Sequence, residues 1–284
     1  MTRYIFDTWQ DITPQIPDLL RTFPQGVDVI RYVCRAPTGA WKTIKTPEAR
    51  AIAATNGKIR LGLVSELQAQ TFGADAGRAD GQWAAAQATL FGAPHNFFLA
   101  YASDADYPTN RIGAHGQAFS AFFSATLSLQ PKRWCYGAGD TCDYLEKMGF
   151  IDSDGTWLTQ SNGFSGTTKA LNTGDWDMHQ KLPAKLFGMD IDPNVLRDPN
   201  RDAGFFIPKV APPPLPDAVF PATASTQDVE ALQLALNSVA GAGLTVDGVY
   251  GKATTAAVVQ YQESKSLSAD GIAGPLTIDA IKAT

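Results

Sequence analysis

The chain has 284 residues, 44% of them hydrophobic and 18% charged, with a formal net charge of −5. This composition excludes wholesale disorder and leaves room for one large domain and a small one. The acidic balance and the lack of a Lys/Arg cluster argue against nucleic acid as a partner, and no run of about 20 apolar residues is present to cross a bilayer.

The first residues, MTRYIFDTWQDITPQ, contain no apolar stretch of the export-signal kind, so no signal peptide is expected there. Short runs rich in β-branched and aromatic residues then predict strands at Tyr4 to Asp7, Val27 to Val33, Ile59 to Glu66 and Phe97 to Ser103. Further strands are predicted at Arg133 to Ala138, Thr156 to Gln160, Asp175 to Gln180 and Phe187 to Asp192. Between the early ones lie helical stretches. TPEARAIAATNG has Thr46 as N-cap, Pro47 at the first helical position and Gly57 as a stop; ADGQWAAAQATLFG and Asn110 to Gln130 follow. Strand and helix in alternation predict a parallel sheet, and eight units predict a closed (β/α)8 TIM-like barrel, with shorter crossovers in its second half.

From Pro208 to Ser225 six prolines favour an extended segment that builds neither helix nor central strand. The expected organisation is therefore a barrel over 1–207, a Pro-rich linker over 208–225 and a small three-helix domain over 226–284. Within the last, D-G-x-x-G-x-x-T occurs at Asp247 to Thr254 and again at Asp270 to Thr277, where Asp-Gly makes a tight turn ahead of a helix start. Before it, Val229, Leu232, Leu236 and Val239 share one helical face.

Cys34, Cys135 and Cys142 are too few and too unevenly spaced for a disulfide framework, and read as buried apolar residues. His95, His115 and His179 form no metal-binding spacing, so no metal and no cofactor are expected. The segment FFLAYASDAD is more informative. Asp104 and Asp106 would project to one side of a continuing strand, about 6.5–7 Å apart, although a polar loop with Asp104 capping a turn also satisfies this pattern. In a parallel barrel the C-terminal ends of the strands carry the chemistry, and there Asp7, Glu66, Asp104, Asp106, Asp190 and Asp192 would meet. Of these, Asp192 is read as a strand-end cap. Tyr32, Trp157, Gln160, Trp176 and Gln180 would add aromatic and amide groups at the same rim. Acids and aromatics without metal ligands suit a sugar polymer: rings stack on aromatic faces, one carboxylic acid protonates the glycosidic oxygen and a carboxylate stabilises the developing cation.

IFDTW, TPEARAIAATNGKIRLGLVSE, GRADGQWAAAQATLFGAP and FFLAYASDAD together resemble the glycoside-hydrolase-like barrel domains of an uncharacterised bacterial and phage family, itself related to the family 25 lysozymes. The resemblance covers about Arg3 to Asp192, with DMHQKLPAKLFGMDID similar to the closing segment of the lysozyme barrel. It implies that Asp7 is the first-strand acid, Glu66 the third-strand acid, and Asp104 the first member of the lysozyme D-x-E pair. Asp106 falls where the lysozymes carry a Glu acid catalyst and is shorter by one methylene; Glu66 is then expected to supply the longer acid from the neighbouring strand. The repeated turns of the tail resemble the peptidoglycan-binding domain of bacterial wall hydrolases and phage endolysins, with Tyr250 and Gln262 as expected ligand contacts.

Together these readings predict a monomeric glycoside hydrolase, of the phage endolysin type, whose partner is bacterial peptidoglycan. It would stay in the host cytoplasm until release and then act on the cell wall. A non-catalytic wall-binding protein with a degenerate barrel is the alternative, and an amidase or peptidase a third.

Overall fold

The computed structural model describes residues 3–35, 39, 41–67, 73–103, 106, 112–210, 215 and 219–283. Two compact units divide the chain, Met1–Lys209 and Val210–Thr284. In the first, β1 (Tyr4–Thr8), α1 (Ile16–Thr22), β2 (Val27–Tyr32), α2 (Thr46–Ala53), β3 (Ile59–Glu66), α3 (Ala74–Leu90), β4 (Phe98–Ala102) and α4 (Ile112–Thr126) alternate. They continue as β5 (Lys132–Gly137), α5 (Gly139–Lys147), β6 (Gly155–Leu158), α6 (Thr167–Thr173), β7 (Met178–Gln180), β8 (Ala184–Leu186) and β9 (Met189–Leu196).

Strands β1 to β7 pair in parallel and in sequence order, and β9 closes the barrel between β7 and β1. The closed eight-stranded barrel expected from the sequence is present, but its last strand differs. β9 runs antiparallel to both neighbours, and β8 pairs only with β9 in a hairpin. Phe187, expected to begin a strand, is a turn residue with φ of 50°, followed by Gly188 at 84°. The reason is length: a parallel return needs a crossover of a dozen or more residues, and only 181–188 lie between β7 and β9. Because β9 is reversed, its first residues lie at the rim where β1 to β7 end. Helix α2 is shifted in a smaller way, since Lys45 occupies the N-cap and Thr46 and Pro47 form its first turn.

The opposite end of the barrel is sealed by the chain that leaves β9. Leu61 and Phe206 exchange backbone hydrogen bonds of 2.7 and 2.9 Å, Phe98 N donates to Gly204 O at 2.7 Å, and Trp134 Nε1 donates to Ala203 O at 3.2 Å. Phe205 stacks on Phe98 at 5.1 Å. Gly62 lets it do so, since a Cβ there would stand 2.8 Å from the Phe205 ring. Ile5, Ile30, Val64, Phe98, Trp134, Trp157 and Met178 complete a dry interior, so the open end is the one where β1 to β7 finish.

A second buried device fixes that open end. Arg31, 2% exposed, donates from Nε to Glu48 Oε1 at 2.6 Å and from Nη2 to Oε2 at 2.9 Å, and its Nη1 donates to Thr8 O. Glu48 also accepts from Ile12 N at 3.2 Å. The fork therefore ties β2 and α2 to the segment leaving β1.

In the second unit, α7 (Thr226–Ala240), α8 (Lys252–Ser264) and α9 (Pro275–Lys282) surround Leu232, Leu236, Val258, Tyr261 and Ile278. Ser225 and Asp228 make a reciprocal capping box at the start of α7. The two Asp-Gly turns are held alike. Gln233 Nε2 donates to Asp247 Oδ1, Val249 O and Thr254 Oγ1 at 2.7, 3.1 and 3.0 Å, while its Oε1 accepts from Gly248 N at 3.0 Å. Gln262 Nε2 donates to Asp270 Oδ1, Ile272 O and Thr277 Oγ1 at 2.9, 2.9 and 3.1 Å, and its Oε1 accepts from Gly271 N at 3.0 Å. Gln262 is thus a buried internal clamp and not the surface contact expected of it, because both ends of its amide are used inside the fold. Tyr250 likewise turns inward, its hydroxyl donating to Gly271 O at 2.8 Å and accepting from Ala273 N at 3.3 Å.

Replacing Gln233 or Gln262 by Ala strands several buried partners and should destabilise the small unit by about 2–3 kcal/mol, against less than about 0.5 kcal/mol for the exposed Glu263→Ala. Amide hydrogen exchange along α8 measures the difference. Equal protection in the Gln262 and Glu263 variants would show that the clamp contributes nothing.

Candidate functional site

Alternation along each strand decides which side chains reach the open end. Ile5 faces the interior, so Asp7 does too; the same parity turns Tyr32, Glu66, Tyr136, Gln180 and Asp192 inward. They meet around a cavity of about 190 Å³ lined by Tyr32, Glu66, Tyr136, Trp157, Thr159, Gln160, Phe164, Gln180 and Asp192. This is smaller than the roughly 300–1,000 Å³ of a drug-sized ligand pocket and suits one ring-sized group.

Asp7 lies beneath this cavity, 0% exposed. Asn194 Nδ2 and Gln180 Nε2 donate to its Oδ2 at 2.8 and 3.1 Å, and the Tyr32 hydroxyl lies 3.4 Å from Oδ1. Both amides are themselves oriented: Trp157 Nε1 donates to Asn194 Oδ1 at 2.8 Å, and the Tyr136 hydroxyl donates to Gln180 Oε1 at 2.7 Å. In the β1–β9 pairing Asp7 stands directly opposite Asp192, on the same face of the sheet. Burial pushes the Asp7 carboxyl up to about 7, the charge of Asp192 adds to the rise, and the Asn194, Gln180 and Tyr32 hydrogen bonds oppose it. A buried acid is therefore poised to exchange its proton near neutrality.

Glu66, at the end of β3, lines the cavity together with Asp192. Lys42 Nζ lies 2.8 Å from each of its oxygens and 5.1 Å from the centre of the Tyr32 ring. Gln160 brings its amide to the cavity, where Oε1 is buried without a hydrogen-bond partner among the described residues and can accept from a ligand hydroxyl or amide.

Other expected site residues are placed elsewhere. Asp104 lies outside the described residues. Asp106 is exposed, accepts from Ser165 N and Oγ at 3.0 and 2.9 Å, and does not line the cavity. Asp190 is ion-paired with Lys185 at 2.5 Å and stands outside the cavity lining. Trp157 touches the cavity but is 2% exposed and belongs mainly to the core. Trp176 packs on His179 away from the cavity. Sequence reasoning set Asp192 aside as a cap and missed Asn194 and Lys42. For Asp192 and Asn194 the available signal was the short β7–β9 connection, which forces the last strand to pair antiparallel with β1.

Among the described residues no group of three or more His, Cys, Asp and Glu side chains is arranged to hold a metal ion, and no helix is long and apolar enough to cross a membrane.

Comparison with known proteins adds two independent likenesses. Residues 225–281 match the family model described as "Putative peptidoglycan binding domain". A curated relative, the zinc D-Ala-D-Ala carboxypeptidase of Streptomyces albus G, is 54% identical over 41 residues, which is 14% of this chain and 16% of that protein. The match therefore spans about a sixth of the relative. Among solved structures, the Tat-secreted protein Rv2525c of Mycobacterium tuberculosis aligns with a TM-score of 0.54 and 18% identity over 73% of this chain and 99% of its own. An uncharacterised B. stearothermophilus protein aligns at 0.51 and 14%, over 72% and 100%. A glycosyl hydrolase 25 of Streptococcus pneumoniae aligns more loosely, at 0.47 and 13%, over 71% and 89%. The first two show that the barrel fold is shared.

Because the Asp7 carboxyl titrates above its ordinary value of 3.8, folding is favoured where it is protonated, and that contribution is lost as pH rises from about 4 through about 7. Asp7→Asn keeps the shape without the charge, so it should raise stability at pH 8 by on the order of 2–4 kcal/mol and leave it nearly unchanged at pH 4. Thermal melts at the two pH values check this; an equal change at both would mean that folding does not raise the Asp7 carboxyl above its ordinary value.

Proposed function

We propose that the chain is a peptidoglycan-directed glycoside hydrolase in which the barrel cleaves the glycan and the small unit holds the wall. The observation that carries this reading is the acid pair at the β1–β9 seam. Asp192 faces the cavity, Asp7 stands opposite it in the pairing, and burial together with the charge of Asp192 pushes the Asp7 carboxyl up to about 7. Glu66 lies in the same cavity with its charge compensated by Lys42. In the proposed reaction the proton held on Asp7 passes through Asp192 to the leaving glycosidic oxygen as the C–O bond breaks, Glu66 stabilises the positive charge on the sugar ring, and water adds to the anomeric carbon and returns a proton to the acid pair. Gln160 orients the ring by a hydroxyl or acetamido group, while Gln180 holds Asp7. Asp104, which lies outside the described residues, is proposed as a further acid of the reaction.

The tail match supports the wall as the polymer, and tethering would raise the local concentration of the barrel on it. This domain pairing is also what an endolysin released at lysis requires. The competing reading, a wall-binding protein without turnover, is separated by chemistry. Purified peptidoglycan incubated with the protein should yield new reducing ends by mass spectrometry of the muropeptides. Glu66→Gln, Asp192→Asn and Asp104→Asn should each lower turnover by about 100-fold or more while wall binding persists. New amino termini in place of reducing ends would assign an amidase or peptidase, and intact walls with full binding would assign the non-catalytic role.

A further inference from the structure

We propose that Trp9 and Trp41 form a saccharide-stacking subsite beside the acidic cavity, taking a ring of a β-linked N-acetylhexosamine chain. This deepens the reading above and rests on it for the class of ligand. The two indoles meet edge to face at 5.3 Å and are 42% and 65% exposed. A single exposed aromatic needs no explanation, but two packed on each other with open faces form an apolar surface that water solvates poorly. Their position gives that surface a use. Trp9 directly follows β1, the strand of Asp7, and Lys42 Nζ lies 5.6 Å from the Trp41 ring while bonded to Glu66 at 2.8 Å. A path of contacts therefore runs from the Glu66 carboxylate through Lys42 to Trp41 and Trp9. The cavity itself accommodates about one ring, so a polymer bound there must continue across its mouth. The apolar face of a neutral pyranose matches an indole, and a bulky anionic ligand would instead meet the carboxylates at the same rim.

The seat is built to hold still. The Arg31–Glu48 fork binds Thr8 O and Ile12 N on either side of Trp9, and the Gln10 side chain accepts from Asp190 N at 2.5 Å.

The test uses the full chain and chitotetraose, a soluble N-acetylglucosamine tetramer without peptide, with tryptophan fluorescence and calorimetry as readouts. Saturable binding is expected, weakened about tenfold in Trp41→Ala and in Trp9→Ala, restored within about threefold in Trp41→Phe, and unchanged in Trp83→Phe, on α3. Melting curves of the variants identify any that fail to fold, and Trp41→Phe then carries the comparison. Equal affinity in wild type and both Ala variants overturns the subsite, as does absence of binding to the wild type. Binding that depends on Trp41 in a protein that releases no reducing ends from walls would sustain the subsite and overturn hydrolysis instead.

A separate observation assigns a modification site: we infer that Cys135 and Cys142 form an intramolecular disulfide under oxidising conditions. Both thiols are free and buried, yet their sulfurs lie 3.1 Å apart, joining β5 to the first turns of α5. Closing to a bond of about 2.05 Å takes about 1 Å of movement. Cys142 also borders a groove of about 530 Å³ beside α5 and α6, which offers a small disulfide a route to it. In the reaction the Cys142 thiolate attacks a low-molecular-weight disulfide RSSR and releases one RSH; Cys135 then displaces the second RSH from the mixed disulfide. Two protein thiols are oxidised and one RSSR is reduced.

Refolding the full chain in a glutathione redox buffer, followed by alkylation in denaturant and intact-mass measurement, should leave one alkylatable cysteine, Cys34, with Cys135 and Cys142 linked in the peptide map. Three alkylated cysteines, or a Cys34-containing bridge, would overturn the assignment.

Discussion

The antiparallel seam between β1 and β9 sets two carboxylates face to face, and the rest of the site is arranged around that fact. A parallel eighth strand would have ended at the rim; the reversed one begins there and sends Asp192 and then Asn194 into the barrel. Asn194 bonds Asp7 directly and is aimed by Trp157. Gln180 does the same from β7 and is aimed by Tyr136. Burial raises Asp7 more than these donors lower it, so the fold favours the protonated carboxyl.

The two ends of the barrel divide the work. One is closed by the return segment, with Phe205 seated against Gly62 and Phe98, and supplies the dry interior that makes the burial of Asp7 costly for its charge. The other is stiffened by the Arg31–Glu48 fork, whose partners include the carbonyl of the residue following Asp7. A buried ion pair of this kind is weak evidence for stability, but its hydrogen bonds tie β2 and α2 to the segment leaving β1.

Much of this was legible in the sequence. Apolar runs of four to eight residues marked the early strands, and the acids closing the runs of β1 and β3 pointed to Asp7 and Glu66 because the C-terminal ends of parallel barrel strands meet at one rim. The reading failed where periodicity carries no signal. Asp106 lies beyond the end of β4, where alternation no longer decides direction, and it turned to the backbone and hydroxyl of Ser165. Asp192 looked like a cap because strand direction cannot be read from residue type, although the short span after β7 contained the information. In the small unit, the aspartates, glycines and threonines of the repeat were visible, whereas Gln233 and Gln262 escaped as its organising pair. They stand 14 and 8 residues ahead of their aspartates, so no fixed spacing relates them.

The central claim is that burial, helped by the charge of its cross-strand neighbour Asp192, keeps the Asp7 carboxyl protonated up to near neutral pH. Carbon-13 detection of the side-chain carboxyl of Asp7, followed from pH 3 to pH 9 in the wild-type chain and in Asp192→Asn, measures this directly. The account predicts a midpoint near 7 that falls in the variant yet stays above the ordinary value of 3.8, because burial is the larger cause. A midpoint in the ordinary carboxylate range in both proteins would contradict it.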